Sequence, residues 1–512
     1  MSKDVVIGVD IGTTATKVAA LDAAGDQLGG CRRDYPLESS LPGRAEQDPE
    51  RILDTVLECI RAVARDCVTA GAAVQGVGLS AAMHGLMALD EKGAPLTRLI
   101  TWADGRAVEQ ARRLKERSDG SSIYGRTGTP LHPMSPLAKL LWFRECDSTT
   151  FERSAHWIGM KEYLLLRLFG VLIVDHSIAS ATGLFDLREL DWDADLLEMV
   201  NVARDALPEP VATTHAVGGL SKEWSGRLEL PDGVPFVVGA SDGVLANLGV
   251  GAIDAGVAAC TIGTSGAVRM CAPEPRTDAK GRIFCYALTD DLWVLGGPIN
   301  NGGVALSWLR ENVFLDVAGA ATASGRDPYE DLVGLASEAP AGSGGLIFLP
   351  YLLGERAPHW NADARGALIG LTIRHDRTHI VRAVMEGVAL QLHSVLRVLE
   401  DVTGEATEFR ATGGFARSSL WRQIAADVFG SDVLFPKRHE SSCFGAAVLA
   451  MFALGMIDSL GRVKDMVAIE HRHSPDAAAA RVYAQLAEVF PSLYAGVEPH
   501  FGRLSDLQRR LA

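Results

Sequence analysis

Apolar and polar positions alternate in short blocks along this chain, and the period of each block predicts a strand or a helix. Val5-Val6-Ile7-Gly8-Val9-Asp10-Ile11 is a near-continuous apolar run, as a strand buried on both faces reads. It stops at Gly12-Thr13-Thr14, and a second run follows in Lys17-Val18-Ala19-Ala20-Leu21. Asp22-Ala23-Ala24-Gly25 then turns the chain into a third strand around Gln27 to Arg32, so an antiparallel meander precedes any helix. There the period changes: Asp48 is a good N-cap with Pro49 at the first helical position, and Ile52, Val56, Ile60, Val63 and Cys67 recur on one helical face. Val74 to Leu79 returns as a strand.

The order recurs in the second half. Val257 to Ile262, the turn Gly263-Thr264-Ser265-Gly266 and Ala267-Val268 form a second hairpin. Strands follow near Arg282 to Tyr286 and Trp293 to Gly296, then a helix through Leu306-Ser307-Trp308-Leu309 and a strand from Leu346 to Leu349. A meander followed by helix and strand, twice over, predicts an α/β chain of two ribonuclease-H-like domains with a cleft between them, residues 1–250 and 251–512. The boundary falls near Gly249-Val250-Gly251-Ala252, which suits a hinge and a simple turn equally. Ala318 to Asp327 reads as a surface loop, and the stretch after Ser474 as a helical cap.

Both hairpin turns combine a glycine, which lets backbone N–H groups approach an anion, with hydroxyl side chains that donate to it. A single Gly-Thr turn is ordinary turn chemistry, but two copies half a chain apart point to a duplicated unit sharing one polyphosphate. The copies are unequal. Asp10 stands where the second copy has Thr261, so only the first offers a carboxylate to a metal ion.

Composition narrows the function. With 512 residues, 47% hydrophobic, the chain has room for two domains with buried cores. Lys3-Asp4 leads into the first strand without an apolar signal segment, and no run of about 18 apolar residues occurs, so neither secretion nor a membrane span is expected. Eight scattered cysteines without a CxxC pair fit reduced thiols and a cytoplasmic location; Cys260 and Cys285 read as core residues. A net charge of −15 with no basic tract argues against nucleic acid and anionic membranes, while leaving a small anionic ligand and a homodimer open.

Candidate chemistry lies in four further segments. Val237-Val238-Gly239-Ala240-Ser241-Asp242-Gly243 is a strand ending in an aspartate ahead of a helix; Asp242 is a candidate base, although an aspartate there is most often an N-cap. Leu79 to Gly85 carries Met83 and His84, and Thr101 to Arg106 carries Trp102, Asp104 and Arg106; strand ends of this kind suit a hydroxylated substrate, with core packing the plain alternative. Thr127 to Pro136, with His132, is too rich in proline for a helix or inner strand. Ala411 to Ser418 joins strand to helix through Gly413-Gly414, a surface on which a flat ligand could lie.

Together these segments resemble the FGGY family of carbohydrate kinases, in the sugar kinase and actin-like ATPase superfamily, from Ile7 to about Ile457. The resemblance rests on GVDIGTTATK, GLSAAMHG, TWADGRA, MSPLAKLLWF, GASDGVLANLG, TIGTSG, LPYLLGERAPHWNADARGALIGL, ATGGFARSSLWRQ and ESSCFGAA. Within the family, TGTPLHPMSPLAKLLW, SIASATGLFDL and the WADGR form look most like kinases of gluconate, whereas kinases of D-xylulose share MHG and Asp-Gly-Arg. Cys146 departs from the usual polar residue, with no bearing on catalysis.

The resemblance implies that Asp242 is the general base and, with Asp10, the Mg²⁺ side. It implies that Thr13, Thr14 and Thr264 bind the phosphates of ATP, and that Gly303, Ser307, Gly413, Gly414 and Ser418 line the nucleotide pocket. Met83, His84, Trp102, Asp104, Arg106 and His132 would face the sugar. A sugar-acid carboxylate would need a cation, and Arg106, His84 and His132 are the candidates. The expected reaction is phosphoryl transfer from ATP to an open-chain sugar acid, gluconate first. A ketose or polyol kinase is the nearer alternative and a non-catalytic actin-like nucleotide-binding protein the more distant one.

Overall fold

The first apolar run forms the strand Lys3–Ile11, buried from Val5 onward and paired antiparallel with Ala15–Asp22, which pairs in turn with Gln27–Asp34. A computed structural model describes residues 3–39, 43–437 and 440–511. The helix Pro49–Thr69 starts where the sequence places it: the Asp48 carboxylate accepts from the N–H groups of Glu50 and Arg51, and all five periodic residues are buried. Next, Ala72–Ala81 lies parallel to Lys3–Ile11, and Phe236–Ser241 lies parallel to Ala72–Ala81. The six-stranded sheet therefore runs 216–217, 236–241, 72–81, 3–11, 15–22, 27–34, the order of a ribonuclease-H-like domain. It belongs to a unit of residues 1–253, 272–295 and 440–467.

One helix of that unit comes late in the chain. Ser441–Ala453 packs on the sheet so closely that a Cβ on Gly8 would collide with the carbonyl oxygen of Cys443, and one on Gly78 with that of Ala446. It meets the helix Asp242–Gly249 in the same way, Gly445 against the Leu245 carbonyl and Gly249 against the Ser441 carbonyl. Gly249, read above as a hinge or turn residue, thus ends a helix at a point where no side chain fits.

The second unit, residues 254–271, 296–439 and 468–512, builds its sheet on the second hairpin. Val257–Ile262 pairs antiparallel with Gly266–Ala272 and parallel with Glu408–Thr412, followed by Val433–Pro436 and Ile469–His473. Two expectations change here. Ile347–Leu349 is a strand, but it pairs with Ala367–Ile369 in a separate ribbon; the parallel neighbour of the hairpin is Glu408–Thr412, delivered by the long helix Arg377–Thr403. The small residues 318–323 finish a helix, Leu315–Ala323, rather than forming a loop, because alanines there extend the turn before Gly325 ends it. After Ser474 the chain forms the helix Ala477–Leu511. All eight cysteines are free thiols, and no described helix is long and apolar enough to cross a membrane.

Gly445→Val should overpack the contact with Leu245 and cost about 1–3 kcal/mol, whereas Gly496→Ala, in open space inside the last helix, should gain about 0.5–1 kcal/mol. Thermal unfolding of the two variants checks this as Tm changes of opposite sign.

Candidate active site

In the first unit, the turn after Lys3–Ile11 is fixed from three sides. Tyr35 Oη donates to the Gly12 carbonyl at 2.7 Å, Gln47 Nε2 to the Thr13 carbonyl at 2.6 Å, and Trp102 Nε1 to Thr13 Oγ1 at 2.9 Å. Thr13, Met83 and Trp102 consequently share one pocket, with Gln47 and Thr101 also lining it. Thr14 is exposed on the same turn.

His84 sits at φ +66°, a left-handed conformation that costs a side-chain-bearing residue energy and persists only where its surroundings enforce it. Its Nδ1 lies 2.7 Å from the Ala181 carbonyl, which can only accept, so that nitrogen carries the proton. The same short segment holds other parts. Thr129 Oγ1 donates to the Ser180 carbonyl at 2.7 Å, Leu137 N to the Thr182 carbonyl at 3.0 Å, and Ser241 N to Ser177 Oγ at 3.1 Å. Residues 177–182 therefore tie together His84, the proline-rich loop carrying His132, and the residue before Asp242. The ring of His132 accepts from Met134 N at 3.3 Å, and His132 is not among the residues lining the Met83 pocket.

Arg106 is ion-paired within the protein. Nearly fully buried, its guanidinium donates to Asp104 at 2.8 Å and also to Glu46, while Asp104 accepts in addition from Ala45 N. Burial alone would push the Asp104 carboxyl up; the Arg106 guanidinium and two backbone donors outweigh it and hold the group below its ordinary range. The pair is an anchor for the 101–106 segment.

Asp10 and Asp242 form the charged centre. Ser80 Oγ donates to Asp10 at 3.0 Å. Asp242 is the first residue of its helix, with Ser241 as N-cap; its carboxylate accepts from Gly243 N at 2.7 Å and its carbonyl from Ser442 Oγ at 2.9 Å. Burial, and then the charge of Asp242, push the Asp10 carboxyl up to about 7. An Asp10 carboxyl raised by burial and by the charge of Asp242 suits a cation shared with substrate phosphates. Among the described residues no cluster of three or more His, Cys, Asp or Glu could hold a metal. A hard divalent ion that keeps waters and phosphate oxygens in its shell needs no such cluster.

The second unit contains a cavity of about 690 Å³ lined by Thr264, Gly303, Ser307, Gly414, Ser418 and Tyr329. The carbonyls of Gly263 and Thr264 accept from Gly303 N at 2.7 Å and Gly302 N at 3.1 Å, which fixes the turn. Gly413 lies beneath, at φ +111°, where a Cβ would strike the Ile262 carbonyl. Ser307 Oγ lies 2.7 Å from Tyr329 Oη, and the Arg310 guanidinium stands 4.4 Å over the Tyr329 ring.

Residues 5–249 match the N-terminal domain, and residues 258–454 the C-terminal domain, of the FGGY family of carbohydrate kinases. The chain belongs to the FGGY family of carbohydrate kinases. It is 43% identical over 507 residues to a gluconokinase of Bacillus subtilis, covering 99% of this chain and 98% of that one. A gluconate kinase structure from Lactobacillus acidophilus superposes with a TM-score of 0.92 at 34% identity, over 98% of this chain and 100% of that one. A ligand-bound xylulose kinase from the same organism gives 0.92 at 35%, with the same coverage. The protein is a carbohydrate kinase, a phosphotransferase acting on an alcohol group.

Several residues that build this kinase's site escaped the sequence reading. Tyr329 opens a helix at Asp327-Pro328, the same Asp-Pro start read at Asp48-Pro49. Lys161 Nζ lies 2.6 Å from Asp175 and 3.1 Å from the Ala240 carbonyl, fully buried behind the strand that presents Asp242. Lysines inside apolar helical runs, as in LAKLL and GMKEYLLL, were the available signal, since a buried ammonium must find partners.

Folded Asp10 binds its proton more tightly than the unfolded chain does, so its contribution to stability is lost as pH rises from about 4 to about 7. Asp10→Asn removes that cost. Without nucleotide, the variant should melt above wild type at about pH 8, by on the order of a few degrees, and the gain should shrink towards about pH 5. A pH-independent difference in Tm would contradict the assignment.

Proposed function

We propose that this kinase transfers the γ-phosphoryl group of ATP to the terminal hydroxyl of D-gluconate, giving 6-phospho-D-gluconate and ADP. The observation that carries the substrate is the 43% identity to a gluconokinase along virtually the whole chain. In this reading Asp242, held by Ser442 and the Lys161-anchored strand, accepts the hydroxyl proton as the oxygen attacks phosphorus. ATP occupies the cavity of the second unit, where Thr264 meets its phosphates; the family resemblance gives Thr13 and Thr14 a phosphate-binding role as well. Mg²⁺, held on the Asp10 and Asp242 carboxylates, would supply neutralising charge for the phosphates.

Met83, His84 and Trp102 bind the sugar chain. With Arg106 bound to Asp104 and Glu46, the gluconate carboxylate falls to His84 or His132. A ketose reading has one specific support, the ligand-bound xylulose kinase of 0.92 TM-score. We also assign the enzyme to the cytoplasm, with its thiols reduced.

A coupled ADP-release assay with Mg-ATP against gluconate, xylulose, ribulose and glycerol tests the substrate. Gluconate should give the highest kcat/KM, and a preference for xylulose would replace the first reading with the second. Asp242→Asn should lower kcat roughly 10²–10⁴-fold with little change in the KM for ATP; an unimpaired variant would remove Asp242 from the role of base. His84→Ala and His132→Ala separate the two cation candidates: the one that binds the carboxylate should raise the gluconate KM and leave that of ATP unchanged.

A further inference from the structure

Helix Pro136–Cys146 carries one residue that its apolar surroundings do not explain. Lys139, fully buried, points its ammonium at three backbone carbonyls: His84 at 2.6 Å, Thr101 at 2.8 Å and Ile100 at 3.3 Å. Ammonium carries three donors, and three acceptors surround it. The carbonyls come from two separate segments, the one that ends in Met83-His84 and the one that leads into Trp102. Between them, Leu86 and Ile100 exchange backbone hydrogen bonds at 3.0 and 2.8 Å. The same helix reaches the segment holding the His84 ring, because Leu137 N donates to the Thr182 carbonyl next to Ala181.

We propose that Lys139 is a positioning residue for the sugar: its ammonium clamps the Met83-His84 and Thr101-Trp102 segments together and holds His84 in its left-handed conformation, so that the two segments present one binding surface. This rests on the sugar placement proposed above. Lys139 touches carbonyls only and takes no part in the phosphoryl step. Burial pushes its pKa down to about 7, reinforced by Arg106 and partly opposed by Asp104, so the charged form carries a strong desolvation cost here. The Ile100 and Thr101 carbonyls also accept from Leu86 N and Asp104 N.

Lys139→Met keeps the length of the side chain and removes the donors; Lys139→Gln restores part of the hydrogen bonding. KM values for the sugar and for ATP are measured in both, beside His84→Ala and Trp102→Ala, using the sugar that wild type turns over best. Lys139→Met should raise the sugar KM tenfold or more, with the ATP KM and sugar-independent ATP hydrolysis within about twofold of wild type. Lys139→Gln should fall between the two, and it decides the matter if the Met variant does not fold. A sugar KM unchanged in the Lys139 variants but raised in His84→Ala overturns the clamp alone, as does an equal rise in both KM values. If His84→Ala and Trp102→Ala also leave the sugar KM unchanged, the sugar placement is at fault and the clamp falls with it.

Discussion

The contact on which the placement of Asp10 and Asp242 depends is backbone against backbone. Helix 441–453 can lie on the sheet of the first unit only because Gly8 and Gly78 have no side chain, and on helix 242–249 only because Gly445 and Gly249 have none. Side chains two residues apart on a strand share a face. Asp10 and Ser80 therefore follow Gly8 and Gly78 on the side the helix covers, just past its first turn, where Ser442 also reaches the carbonyl of Asp242. A methyl group in that contact would move both carboxylates together.

Around that contact the fold maintains charges that work against its own stability. Asp10 is buried near Asp242, Lys161 near Asp175, and Lys139 among carbonyls. Buried ions of this kind seldom add net stability, since desolvation consumes much of what pairing returns. Their value lies in direction. Each holds a strand end or a turn to one geometry, and all three lie beside residues placed in the reaction. The Arg106–Asp104–Glu46 cluster belongs to the same class: a side chain that sequence similarity points at the substrate is bound within the protein and shapes the segment that carries Trp102.

Much of the architecture was legible in the chain because it is written locally. Asp48-Pro49 marks a helix start through capping chemistry alone, and the two hairpins announce themselves by apolar runs broken at Gly-Thr. What was illegible depends on partners distant in sequence. No local signal tells that 347–349 pairs with 367–369 while 408–412 joins the hairpin, because strand pairing across about 20 and about 150 residues is decided by packing. Residues 318–323 are small enough to suit loop or helix, and the neighbouring Asp327-Pro328 cap was the cue to the helix carrying Tyr329. Of the site, the residue types were legible and their commitments were not: Thr13 receives Trp102 and Arg106 turns to Glu46 only once the segments have folded.

Helix 441–453 has a further consequence, for the order in which the molecule can be made. A ribosome delivers residues 3–253 long before it delivers the helix that covers Gly8 and Gly78, with most of the second unit synthesised in between. Until then the emerging first unit lacks the helix that packs on Gly8 and Gly78, and an uncovered surface of that kind invites misassembly in large chains. The carboxylates beside it therefore acquire their final setting only near the end of translation, and a chain released early is an incomplete site rather than a smaller enzyme.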